Sequence, residues 1–185
     1  AGGGSDTDRL DEIATTILPH PISLLQRFLP AADIGSIQWT VTRAGEGEWS
    51  ATAVAEGVLI VIFISMNGRP TRFLTNLLGD CGAIEIDNFN GFAVAAPPLK
   101  SPFYKVSAPF RDAASQFGRA GINLVGRVAR REFGYVGLRS LIAAFQSAVR
   151  SGNADDLPIT PAQIRANVVA CATICLHAEQ AAHGR

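Results

Sequence analysis

The spacing of apolar residues changes period twice along the chain. From Asp6 to Pro30 it is helical: Leu10, Ile13, Ala14 and Ile17 recur in a first run, and Leu24, Leu25, Phe28 and Leu29 in a second run after the break at Pro19. From Ser36 the period is two. Ile37, Trp39 and Val41 alternate with Gln38, Thr40 and Thr42, and the turn Gly45-Glu46-Gly47-Glu48 leads into a second strand from Trp49 to Glu56. The run Val58 to Ile64 is apolar at every position, which predicts a central strand covered on both faces. Further strands are expected over Thr71 to Leu78, Ala83 to Asp87 and Gly91 to Ala95, separated by Asn67-Gly68-Arg69-Pro70 and Gly79-Asp80-Cys81-Gly82. Pro97, Pro98, Pro102 and Pro109 then predict a loop.

The last third returns to helical spacing. Phe110, Ala114, Phe117, Gly121, Leu124, Val125 and Val128 form one stripe, in which Gly118, Gly121 and Gly126 imply a break or the close approach of another backbone. Leu138, Leu141, Ile142, Phe145, Ala148 and Val149 form another, and Ser151-Gly152-Asn153 ends it. Thr160-Pro161-Ala162-Gln163 has the form of a capping box, followed by Ile164, Val168, Cys171, Ala172 and Cys175. Strands followed by helices predict an α+β fold, a mostly antiparallel open-faced sheet with helices on one face. Its other face then needs a cover, and a homodimer or higher homo-oligomer through that open face is the expected solution.

Composition narrows the function classes. Sixteen basic and sixteen acidic residues cancel, and 48% of the 185 residues are hydrophobic, so global charge argues neither for nucleic acid nor for disorder. No apolar run is long enough for a membrane span. Cys81, Cys171 and Cys175 match no zinc spacing, and a reduced, cytoplasmic protein is expected. Residues 1–5 read as a flexible leader or linker stub, and residues 6–185 as a single domain.

Several fragments, in order, resemble the C-terminal domain of the Gfo/Idh/MocA family of NAD(P)-dependent oxidoreductases. Ile17-Leu18-Pro19-His20-Pro21 is similar to the segment holding that family's active-site histidine, and Gly79 to Asp87 to its glycine-rich hairpin. Gly137 to Phe145 and Leu157 to Gln163 resemble its closing helices. The resemblance implies a substrate-binding and dimerisation domain, acting on a sugar-like or polyol substrate, whose NAD or NADP is bound mainly by an N-terminal Rossmann domain absent from this chain. No cofactor is expected for this chain alone, and without that domain it is expected to be inactive. It further implies an acid/base role for His20. Where family members commonly place an aspartate four residues earlier, this chain has Thr16, which keeps open a non-catalytic binding or dimerisation module.

Other residues carry weaker chemistry. Lys100 and Lys105 are candidate substrate contacts, because loops after a sheet tend to hold binding residues. From Lys100 to Arg139, eight basic residues face two acidic ones; a solvated helix face is the expectation, with an anionic substrate or membrane surface as the sharper alternative. Cys171 and Cys175 read as small core residues, His177 and His183 as solvated near a frayed terminus. Gly45-Glu46-Gly47-Glu48 reads as a hairpin turn, since its carboxylates would repel a phosphate.

Overall fold

The computed structural model describes residues 6–98, 102–132, 134, 137–153 and 157–183. The fold is α+β, and every strand pairing in it is antiparallel. The sequence reads as one domain over 6–185; the chain divides into two compact units, residues 1–68 with 157–185, and residues 69–156.

In the first unit, helix α1 (Asp6–Ile17) and helix α2 (Pro19–Phe28) meet at Leu18. Pro19 starts α2, where a missing N–H is no loss because the first turn has no partner for it. Ala14, Leu18 and Ile22, spaced four apart, are all buried and form one ridge across both helices. Asp33 then caps a single 3₁₀ turn, Ile34–Ser36, its carboxylate accepting from the Gly35 N–H at 3.2 Å.

Strands β1 (Thr40–Gly45), β2 (Glu48–Ala55) and β3 (Val58–Ser65) follow as a meander in spatial order β1-β2-β3. The β2–β3 turn has Glu56 and Gly57 both at positive φ, 53° and 76°, the twist a two-residue hairpin loop requires. Its register opposes Trp49 to Ile64, Ala51 to Ile62 and Ala53 to Ile60. All six are buried, so the inner face alternates a branched chain on β3 with a smaller or flat partner on β2.

Helix α5 (Pro161–His183) completes this core. The predicted capping box forms: the Gln163 N–H donates to Thr160 Oγ1 at 3.2 Å, and the Thr160 N–H to Gln163 Oε1 at 2.9 Å. The buried ridge is Asn167, Ala170, Ile174 and Ala178 rather than the expected Ile164, Val168 and Ala172, which are exposed. Small residues on the true ridge allow a close approach. Gly35 packs so near α5 that a Cβ on it would lie 3.4 Å from the Ala166 Cα.

Strand β3 corrects a second expectation. It pairs only with β2 among the described strands, so it is an edge strand and not a central one. Ile60, Ile62 and Ile64 face the core, while Leu59, Val61 and Phe63, with Val54 beside them on β2, are 59–70% exposed. The run from Val58 to Ile64 is apolar throughout although only one of its faces is covered.

The second unit has its own meander, β4 (Leu74–Gly79), β5 (Gly82–Asp87) and β6 (Phe92–Ala96), in order β4-β5-β6. Gly82 cannot be replaced without displacing backbone, because a Cβ there would meet the Ala96 carbonyl oxygen at 2.5 Å. Helix α3 (Pro102–Arg130) starts within the stretch expected to be loop and carries Pro109 inside it. Its glycines do not break it. Gly118 and Gly121 face open space, with no backbone against them.

The polar side of α3 meets the sheet. Gln116 Nε2 donates to Glu85 Oε1 at 3.4 Å and Asn123 Nδ2 to the Asn90 carbonyl at 2.8 Å, whereas Phe110, Phe117, Leu124, Val125 and Val128 are exposed. Helix α4 (Leu138–Ser151) follows, closed by Gly152 at φ 67°, whose N–H returns to the Ala148 carbonyl. Val94 and Ala148 are the buried apolar residues of this unit among those described.

Candidate functional site

The junction of α1 and α2 holds the histidine singled out by sequence. His20 is exposed at the second position of α2, between Pro19 and Pro21. Two flanking pyrrolidine rings remove most of the backbone freedom around it. Beneath it lies the polar member of the α5 ridge: Asn167 Nδ2 donates to the Pro19 carbonyl at 3.1 Å and to Ser23 Oγ at 2.7 Å. Ser23 Oγ donates to the same Pro19 carbonyl at 2.7 Å, and Cys171 Sγ approaches Asn167 Oδ1 at 3.4 Å. A buried amide is therefore fully engaged in holding the peptide that leads into His20.

Thr16, one turn before His20, donates its hydroxyl to the Glu12 carbonyl at 2.9 Å. The position that would carry a carboxylate in the family pattern thus carries a hydroxyl bonded within its own helix. Lys105 is exposed on α3 in the second unit, and Lys100 lies outside the described residues. The basic residue Arg111 lines a cleft of about 310 Å³ in that unit, with Asp112, Ala108, Leu78, Gly82 and Pro97 among the other walls. That cleft is mainly apolar, with one guanidinium and one carboxylate in its wall.

A second polar cluster of the first unit is architectural. Asp11 Oδ1 accepts from the Gly47 N–H at 2.8 Å and from Trp49 Nε1 at 3.0 Å, and its other oxygen pairs with Arg43. Desolvation pushes this carboxyl up, but the Gly47 N–H, the Arg43 and Trp49 hydrogen bonds and the Arg43 charge together outweigh it and hold it below the ordinary aspartate value. The hairpin turn of Gly45 to Glu48 is therefore occupied. Its Gly47 N–H serves Asp11 and its Glu48 carboxylate accepts from Ser65 Oγ and the Asn67 amide, so it does not fit a nicotinamide cofactor's pyrophosphate.

The remaining titratable side chains have structural surroundings. His177 is not solvated as expected: it is half-buried, with Nδ1 3.0 Å from the Trp39 carbonyl, because α5 continues past it to His183. The side chain of His183 lies outside the described residues. Cys171 and Cys175 are half-buried and packed against the core, and burial, with the neighbouring Cys175, pushes the Cys171 thiol up to about 11. Such thiols are poor nucleophiles at neutral pH. Among the described residues no three His, Cys, Asp or Glu side chains are placed to hold a metal ion. Trp39 Nε1 is buried without a hydrogen-bond partner.

Asn167 was missed by sequence reasoning. The available signal was one amide among the apolar residues of α5, at a position facing inward only when the ridge is drawn through Ala170 and Ile174. In comparisons with known proteins, the chain matches no family model, no curated protein and no solved structure.

Proposed function

We propose that this chain is the substrate-binding and dimerisation domain of an NAD(P)-dependent oxidoreductase of the Gfo/Idh/MocA type, acting on a sugar-like or polyol substrate. The observation that carries the reading is the presentation of His20: an exposed imidazole on a backbone fixed by two prolines and clamped from below by Asn167 and Ser23. An imidazole held in this way is suited to take or return the proton of a substrate hydroxyl. In this reading the hydride chemistry belongs to a nicotinamide-binding domain.

The test joins this chain to a nicotinamide-binding domain and measures substrate-dependent NAD or NADP reduction. His20→Ala is expected to lower kcat about 10²–10⁴-fold with little change in cofactor affinity. Activity indifferent to that substitution removes the acid/base assignment.

The second reading, a binding or dimerisation module without chemistry, is favoured by Thr16, whose hydroxyl is turned to the Glu12 carbonyl. It expects a stable dimer and no cofactor turnover in any length of chain. Both readings use the outer face of the β1–β2–β3 sheet as the homodimer contact, where Val54, Leu59, Val61 and Phe63 form an exposed apolar patch.

A further inference from the structure

Helix α3 faces the wrong way for a helix whose role is to cover a sheet. With 100° per residue, Phe110, Ala114, Phe117, Gly121, Leu124 and Val128 share one side, and Gln116 and Asn123, which hold α3 to β5 and the β5–β6 turn, lie on the other. Val106, Phe110 and Phe117 are 75–84% exposed. From Phe110 to Val128 this stripe is about 28 Å long, and an apolar surface of that extent on an isolated chain marks something that binds it.

Charge selects the occupant. Helix α3 carries Lys105, Arg111, Arg119, Arg127 and Arg130 against Asp112, and Glu132 just beyond its end pairs with Arg130, which still leaves a basic surplus; these charged positions flank or oppose the stripe. Helix α4 repeats the arrangement with Arg139 and Arg150, no acidic residue, and exposed Leu138, Leu141, Ile142, Phe145 and Val149. Pairing this surface with a second copy would bring two strongly basic helices together. An anionic surface would neutralise them. No helix is long and apolar enough to cross a membrane among the described residues, so an anionic bilayer would be met in its plane.

We propose that α3 docks the protein on an anionic phospholipid surface, its Phe110–Phe117–Leu124 stripe entering the headgroup boundary while its arginines stay at headgroup level. Side chains of lysine and arginine reach outward along their aliphatic stems to do this. At low salt, about 0.01 M, a charge on the far side of a helix 10–12 Å across remains well within one Debye length of the surface. This inference is independent of the oxidoreductase reading.

The experiment is co-sedimentation of the full chain with phosphatidylcholine vesicles, with and without phosphatidylglycerol, at low and high salt. Binding is expected with phosphatidylglycerol only, weakening as salt rises. Phe117→Ser is expected to lower partitioning at least about tenfold, and Arg119→Gln about fivefold. Both residues are exposed, and the far-ultraviolet circular dichroism of both variants should match the parent. No binding to anionic vesicles at low salt, equal binding to neutral ones, or full binding by a folded Phe117→Ser overturns the proposal. So does a dimer that Phe117→Ser dissociates in a chain that ignores vesicles, which would give the stripe to a second copy.

Discussion

Asp11 ties three separate pieces of the first unit to one carboxylate: the turn through Gly47, the indole of Trp49 on β2, and Arg43 on β1. Removing it leaves the Gly47 N–H and the Trp49 Nε1 seeking partners, so Asp11→Ala is expected to destabilise the chain by about 2 kcal/mol in urea unfolding. Its carboxyl is held below the usual value in the folded state. The stability it confers is therefore complete above the unfolded aspartate value near 4 and declines as pH falls through the lower folded value. The acid limb of a stability–pH profile should flatten in the variant, and an unchanged limb would deny Asp11 that role. Neither Asp11 nor Asn167 was legible as a hub. Their partners lie 36 and 144 residues away, and no local pattern encodes which backbone group a single polar side chain will meet. His20, by contrast, stood out through the resemblance of Ile17-Leu18-Pro19-His20-Pro21 to a family segment, a signal contained in five adjacent residues.

Most elements could be read from periodicity, because period two and period 3.6 are consequences of backbone geometry that hold before any tertiary contact forms. What periodicity does not carry is which face is buried. On α5, apolar residues occur on every side, so Ile164 and Val168 competed with Ala170 and Ile174, and the face that won is the one whose alanines, Ala166 and Ala170 among them, let the helix approach Gly35 and the core. On β3, an unbroken apolar run gave the same signal as a central strand. The consequence belongs to that strand: Phe63→Glu on its outer face should leave folding intact, since Phe63 is 70% exposed, yet abolish self-association. Sedimentation equilibrium distinguishes the outcomes, and a dimer that survives Phe63→Glu would exclude this face as the contact. An interface of about 800 Å² per subunit is the size at stake.

At the scale of the whole chain, the two units differ in how they are held. The first has a continuous core joining α1, α2, α5 and the inner face of its sheet, whereas among the described residues the second buries Val94 and Ala148 and leaves the large apolar residues of its helices exposed. Local stability follows buried apolar contact. Hydrogen exchange should accordingly be slowest in β2, β3 and the middle of α5, and faster by at least about tenfold in β4 to β6 and α4. Equal protection across both units would show that the second is stabilised by something other than its own packing. The segregation of strands and helices along the chain made the fold class legible, but the division at Gly68 and Leu157 was not, because neither position is marked by a long polar linker.

The first unit closes only through α5, which comes about 100 residues after β3 in the chain. During synthesis, then, the isoleucines of β3 emerge before the core they share with Ala170 and Ile174 can be completed, and at the usual 5–20 residues per second that interval lasts about 5–20 s. For that time an apolar, unpaired edge strand is accessible to other nascent chains. A holdase that recognises short aliphatic segments would find its best target between Val58 and Ile64, and its release would be timed by the arrival of Ala170 and Ile174.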